Sequence, residues 1–182
     1  MTIRPRIQWY QGDRRELRAL FELAEDSTSQ LDAYFHLGWV LVALLDDHIV
    51  GHLQAVSTGH PERVEIKNMA VLTPCQGHGI GRALIESLVE LLADTPVTTL
   101  LVATAAADIG NLRFYQRRGF RLRSVERDAF TEAAGYPTGI VIDGIELRDR
   151  VWLDLPLPAA AAPRTKVTAH GPTAARAPTA GV

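Results

Sequence analysis

Residues 74–92 read Pro74-Cys-Gln-Gly-His-Gly-Ile-Gly-Arg-Ala-Leu-Ile-Glu-Ser-Leu-Val-Glu-Leu-Leu92, alternating glycines followed by an apolar run. Ile80, Ala83, Leu84, Ser87, Leu88, Leu91 and Leu92 recur at i, i+3, i+4 spacing, which predicts one amphipathic helix stopped near Pro96. The apolar and β-branched stretch 64–72 predicts a strand before it, ended by Pro74, which has no N–H for a ladder. A strand feeding a glycine loop at a helix N-terminus leaves backbone N–H groups unpaired beside the positive end of the helix dipole. Phosphate and pyrophosphate bind at such places, and Gly77, Gly79 and Gly81 allow the close approach they need. Two common phosphate loops do not fit. A Walker loop would end in Gly-Lys-Ser/Thr, where this chain has Gly79-Ile80-Gly81-Arg82, and a dinucleotide loop would need glycine at Arg82.

Working outward, residues 6–10 predict a first strand, and Asp13 is placed to cap a helix over 14–25. Ser27 is a cap for a second, shorter helix through Tyr34. Residues 39–45 and 49–57 predict two strands joined by a tight turn at Asp46-Asp47-His48. Beyond the central helix, 98–105 has the continuous apolar character of a buried strand, and 109–118 predicts a short helix closed by Gly119. A strand over 120–125 follows, then a less regular stretch with a turn at Gly135-Tyr-Pro137. Asp143-Gly144 between two apolar triplets is a type I′ hairpin signal, and 150–155 closes the order as a last strand. Strand runs flanking one β-loop-α-β unit predict an α+β fold with a mixed, mostly antiparallel sheet rather than a doubly wound one.

The composition, 47% hydrophobic and 22% charged, fits one soluble domain with a substantial core. That domain is expected over residues 1–155, with the Ala/Pro/Thr-rich 156–182 a disordered tail. The tail holds Arg164, Lys166 and Arg176 and no acid, so 1–155 carries the other 16 of 19 Lys and Arg against all 21 Asp and Glu. This mild acidity argues against nucleic-acid or polybasic membrane binding and suits a cationic small molecule without demanding one. Cys75 stands alone, which excludes an intrachain disulfide and a cysteine-based metal cluster; no H-x-x-x-H pair occurs, so no metal site is expected. No readable signal peptide and no apolar run long enough to span a bilayer make the cytoplasm the expected compartment.

The pattern that does fit the loop is Gln76-x-x-Gly79-x-Gly81, and it resembles the acyl-CoA pyrophosphate loop of the GNAT N-acetyltransferase superfamily. Glu65-Ile-Lys-Asn-Met-Ala-Val71 resembles that family's central strand, and Asn111-Leu-Arg-Phe-Tyr-Gln-Arg-Arg-Gly-Phe120 resembles its F-Y-x-x-x-G-F segment. The order of elements matches from about Arg6 to Leu155. The resemblance implies a three-layer α/β/α fold and transfer of an acetyl group from acetyl-CoA to a primary amine, by direct attack in a ternary complex. The amine is that of a small molecule or of a protein. A non-catalytic acyl-CoA-binding or regulatory domain is the alternative.

Such a reaction needs a neutral amine, a polarised carbonyl, alignment, and a proton for the departing thiolate. The resemblance implies that backbone groups of Met69, Ala70 and Val71 polarise the thioester. It implies that Gln76, Gly77, His78, Gly79, Ile80, Gly81 and Arg82 hold the pyrophosphate, with Arg82 as charge partner. Tyr115 falls where the family's proton-donating tyrosine lies; simple packing of Phe114-Tyr115 on the sheet is the other reading. Glu65 is the base candidate, six residues before Val71, against a structural carboxylate with ordered water as base. Cys75 is not a nucleophile in this scheme. Where many relatives hold the pantetheine arm with asparagine, this chain has Asp108, a residue suited to capping the next helix, and Asn111 takes part of that role. The acceptor groove is expected near 27–36 and 127–150, with Asp128, Glu132, Asp143, Glu146, Phe130 and Tyr136 supplying acids and aromatics. A homodimer is left open beside a monomer.

Overall fold

The computed structural model describes residues 5–158. Seven strands form one sheet: β1 (Arg6–Trp9), β2 (Trp39–Leu45), β3 (His48–Ser57), β4 (Arg63–Val71), β5 (Thr99–Ala105), β6 (Arg121–Glu126) and β9 (Arg150–Pro156). Their spatial order is β1-β2-β3-β4-β5-β9-β6, and only β4 and β5 run parallel. Two short strands, β7 (Val141–Ile142) and β8 (Ile145–Glu146), make a separate hairpin. Helices α1 (Arg18–Glu22) and α2 (Thr28–Tyr34) cover one face of the sheet; α3 (Ile80–Leu92) and α4 (Ile109–Arg117) cover the other. The result is the expected α+β, three-layer arrangement.

β2 shows why the apolar runs become buried strands. Val40, Val42 and Leu44 join Phe21, Leu31 and Phe35 on the α1–α2 face, while Leu41 and Ala43 join Ile80, Leu84 and Leu88 on the α3 face. With both faces covered, alternation between apolar and polar disappears and the strand is hydrophobic throughout. The hairpin turns follow the sequence signal. Asp46 and Asp47 have φ of 47° and 64°, and Asp143 and Gly144 have φ of 50° and 82°, the left-handed pair of a type I′ turn.

One helix differs from expectation. The segment predicted as a single helix over 14–25 is a 3-10 turn, Arg14–Leu17, followed by the five-residue α1. Asp13 does cap it, accepting from the Arg15 amide at 3.0 Å. The helix ends before Glu25 because that carboxylate turns back to accept the Ser27 amide at 3.1 Å. Ser27 in turn caps α2 through Gln30. At the other end, the ladder of β9 continues through Pro156, and the Leu157 amide donates to Thr98. Most of the tail expected to be disordered, from residue 159 on, lies outside the described residues. No helix among the described residues is long and apolar enough to cross a membrane.

A β-bulge in β4 positions the site. Gln54 pairs with Asn68 and Ala55 with Ile66, so Lys67 is the extra residue. Ile66 points into the core under α3, and simple alternation would send Asn68 there too; the bulge turns Asn68 to the α1–α2 face. There it meets His52 and Gln54, so three polar side chains lie buried under Phe21 and Tyr34. His52 stacks on Phe21 with ring centroids 4.1 Å apart. Its Nε2 bonds to Asn68 at 2.9 Å, while Nδ1 has no partner among the described residues. Burial pulls its pKa from 6.5 down to about 4 against a smaller upward push from Asn68, so the ring is held neutral.

A histidine whose folded pKa lies below its unfolded one stabilises the fold above the unfolded value and loses that contribution as pH falls toward the folded one. Stability should therefore fall between pH 6.5 and 4 by about 2–3 kcal/mol through this group alone. Urea unfolding across that range should show a shallower loss for His52→Gln than for wild type. Parallel curves for the two proteins would show that His52 does not carry it.

Candidate active site

The site begins where the sheet comes apart. β4 and β5 pair only from Arg63–Thr99 to Ile66–Val102. Beyond the Lys67 bulge they diverge, and the opened seam is the floor of a cleft of about 910 Å³. Met69, Ala70 and Val71 line it from β4, and Ala103, Thr104 and Ala105 from β5. β4 is bonded to β3 along its other side, so its free edge presents backbone polar groups to the cleft.

The glycine loop closes one end. After β4, a 3-10 turn at Thr73–Cys75 redirects the chain, and Gln76 Nε2 donates to the Val71 carbonyl at 2.9 Å, fastening the loop to the strand. Gly77 and Gly79 have φ of 76° and 82° with open space around both, so glycine is required there by backbone conformation rather than by crowding. Gly81 is different: a Cβ would lie 3.2 Å from the Phe114 ring, so glycine lets α3 and α4 pack closely. Among the described residues, the amides of residues 77–82 have no acceptor. They surround the N-terminus of the 13-residue α3, an anion site in physical terms. Arg82, Arg113, Arg117 and Arg118 line this end of the cleft, with Arg82 Nε also 2.6 Å from Glu86. The His78 side chain does not line the cleft; its Nδ1 lies 3.4 Å from the Cys75 carbonyl oxygen, leaving only its backbone to face a ligand.

Tyr115, on α4, is buried yet reaches the cleft. Phe114 and Phe120 hold its ring edge-on at 5.2 and 5.5 Å. Its hydroxyl has no hydrogen-bond partner among the described residues, while burial, then the charge of Asp108, push its pKa well above the ordinary phenol value. It therefore stays protonated and its donor is unspent. Asp108 caps α4: one carboxylate oxygen accepts the Asn111 amide and the other the Asn111 side-chain amide, both at 2.7 Å. One of the two Asn111 Nδ2 hydrogens is thus engaged, and its carbonyl oxygen and second N–H are what it offers the cleft.

Glu65 lies on the cleft with its side chain mostly buried, paired with Lys67 Nζ at 3.2 Å. Lys67 also stands 5.2 Å from the centre of the Tyr34 ring. Phe130 and Tyr136 line the far end, as the sequence led one to expect, with Arg150 stacked 5.1 Å over Phe130. The expected acids do not. Asp128, Glu132, Asp143 and Glu146 are outside the cleft, Asp128 being tied to Arg148 at 2.9 Å. Instead Glu25 and Asp26, in the joint between α1 and α2, supply the negative charge. Two bonds clamp that joint to the 130–136 loop: Ser27 Oγ to the Gly135 carbonyl at 2.6 Å and Gln30 Nε2 to the Ala134 carbonyl at 2.8 Å. A Cβ at Gly135 would come 2.4 Å from Ser29 Oγ. Sequence reasoning missed Glu25, which sits in no motif, and the role of Asn68, which lies within the 65–71 segment but is turned to this face only by the bulge.

Comparison with known proteins agrees with this geometry. The model of the acetyltransferase (GNAT) family matches residues 6–120. The uncharacterized N-acetyltransferase YvbK of Bacillus subtilis is 32% identical over 152 residues, 82% of this chain and 96% of the relative. A Bacillus subtilis acetyltransferase solved in complex with CoA superposes with a TM-score of 0.77 at 31% identity, covering 85% of this chain and 100% of that one. A GNAT family acetyltransferase from Elizabethkingia anophelis with acetyl-CoA bound gives 0.76 at 27% identity over 84% and 98%. The chain belongs to the GNAT family and is an acetyl-CoA-dependent acetyltransferase.

Proposed function

We propose that the protein transfers the acetyl group of acetyl-CoA to an amine, by direct attack while both are bound. The observation that carries this reading is the continuity of one cleft from the unpaired amides at the start of α3, past Tyr115, to the chamber beneath α1 and α2. A pyrophosphate, a thioester and an amine can occupy it in that order without a covalent enzyme intermediate. Cys75 lines the cleft among the pyrophosphate-loop residues, and the scheme gives it no role as a nucleophile.

Backbone amides of Gly77, His78, Gly79, Ile80 and Gly81, with that of Arg82, would bind the pyrophosphate, helped by the dipole of α3 and the Arg82 side chain. Gln76 holds the loop in place. The open edge of β4 at Met69, Ala70 and Val71 would take up the amides of the pantetheine arm and polarise the thioester carbonyl. Asn111 offers its side-chain carbonyl oxygen to the same arm. Glu65 is positioned to take the proton of the attacking amine, directly or through water. Attack forms the C–N bond and breaks the C–S bond, and Tyr115 donates its hydroxyl hydrogen to the developing thiolate. With its pKa raised by burial, Tyr115 is a hydrogen-bond donor throughout the neutral range. A homodimer and a cytoplasmic location belong to the same reading without bearing on the chemistry.

Tyr115→Phe keeps the packing with Phe114 and Phe120 and removes only the donor. It should lower kcat by about 10²–10⁴-fold with KM for acetyl-CoA little changed. Wild-type kcat in that variant would remove the proton-donor role. Gly79→Ala puts a side chain at a φ of 82° and should weaken acetyl-CoA binding about tenfold by calorimetry. Unchanged affinity would show that the loop conformation does not set binding. An acceptor screen read by mass spectrometry tests the reaction itself. Acetyl-CoA binding without product across amines, peptides and proteins would favour a non-catalytic acyl-CoA-binding domain.

A further inference from the structure

We infer that Glu25 is the specificity-determining carboxylate of the acceptor chamber and that the acceptor is diamine-like, one amine reacting while a second positive group docks at Glu25. The inference rests on the amine-acceptor reading above.

The buried polar chain fixes where Glu25 points. Asn68 Nδ2 donates to the Phe21 carbonyl at 3.1 Å and to Tyr34 Oη at 2.9 Å. Its Oδ1 must therefore be the acceptor facing His52, which makes His52 Nε2 the protonated nitrogen. Tyr34 Oη, having accepted from Asn68, gives its own hydrogen to Glu25 Oε2 at 3.1 Å. The other oxygen, Oε1, accepts the Ser27 amide at 3.1 Å. Every group along this line has one assignable role, and all of them run toward the carboxylate.

Those donors are neutral. Among the described residues Glu25 has no cation within ion-pair distance, whereas the charges around it are compensated: Lys67 with Glu65 at 3.2 Å, and Arg150 with Glu126 at 3.1 Å. The Tyr136 hydroxyl stands between Glu25 and Arg150. Burial raises its pKa to about 12, with Glu25 pushing the same way and Arg150 opposing. A carboxylate held on a cleft wall without a counter-charge is suited to a cation that arrives with the ligand. The reacting amine cannot be that cation, because it must be neutral to attack and ends as an amide. A second group that keeps its charge through the reaction can. Tyr34, Tyr136 and Phe130 line this end of the cleft with Glu25, and aromatic surroundings favour such a cation.

Tyr34 and Asn68 are positioning residues here, acting through Glu25. The test compares 1,4-diaminobutane with 1-aminobutane at saturating acetyl-CoA, in wild type, Glu25→Gln, Glu25→Asp and Tyr34→Phe, with acetyl-CoA affinity measured for each. In wild type kcat/KM for the diamine should exceed that for the monoamine by about tenfold or more, the scale of one charged hydrogen bond. Glu25→Gln should abolish the preference through KM for the diamine, with acetyl-CoA affinity unchanged. Glu25→Asp should restore part of it, and Tyr34→Phe should give an intermediate ratio. No diamine preference in wild type, or an undiminished preference in Glu25→Gln, overturns the assignment and leaves the acetyltransferase reading standing. Turnover of neither amine overturns this inference, and the amine reading beneath it falls too only if a protein that still binds acetyl-CoA gives no product across the wider screen of amines, peptides and proteins.

Discussion

β4 and β5 stop pairing after Ile66 and Val102, and the rest of the site depends on that break. Parallel strands left side by side would go on exchanging hydrogen bonds, and there would be no cleft. The extra residue at Lys67 prevents it by bending β4 away while β3 follows on its other side. The edge so exposed carries backbone groups that need partners, and a ligand rich in amides can supply them. The same bend aims the end of β4 at the glycine loop, so the proposed pantetheine floor and pyrophosphate amides come from one continuous stretch of chain.

The bulge has a second consequence. It turns Asn68 out of the apolar core under α3 and into a buried polar line with His52, Tyr34 and Glu25. Buried polar groups cost several kcal/mol when left unpaired, and Asn68 has a partner for each of its side-chain functions. Among the described residues, His52 Nδ1, Gln54 Oε1 and Arg118 Nε are the exceptions. A fully bonded amide has one orientation, so the line works as a rigid support running from the middle of the sheet to the proposed acceptor chamber. The opposite wall is fixed differently, by the Ser27 and Gln30 bonds to the 130–136 loop.

Much of this could be read from local sequence. Gly77, Gly79 and Gly81 with the periodic run after them located the loop and α3, and the Asp46-Asp47 and Asp143-Gly144 turns were legible because type I′ geometry restricts residue choice. Asp108 as a cap followed from its place before a helical run. What escaped was non-local. A bulge leaves no mark at Lys67, since it is defined by which β3 residue lies opposite. The insertion of β9 between β5 and β6 is likewise a matter of pairing. The acids of the acceptor end were sought in the irregular 127–150 stretch, because its charge is visible there. Glu25 and Asp26 were hidden at the foot of what looked like one helix and proved to be a helix end and a joint.

The central claim is that one continuous run of main chain, from the free edge of β4 to the first turn of α3, holds the cofactor by its amides. Amide hydrogen exchange resolved by residue, with and without coenzyme A, tests it most directly. Protection should rise about tenfold or more at Met69, Val71 and residues 77–82 when coenzyme A is bound, following the population of the liganded state. Saturating coenzyme A with no added protection in these two segments would contradict it.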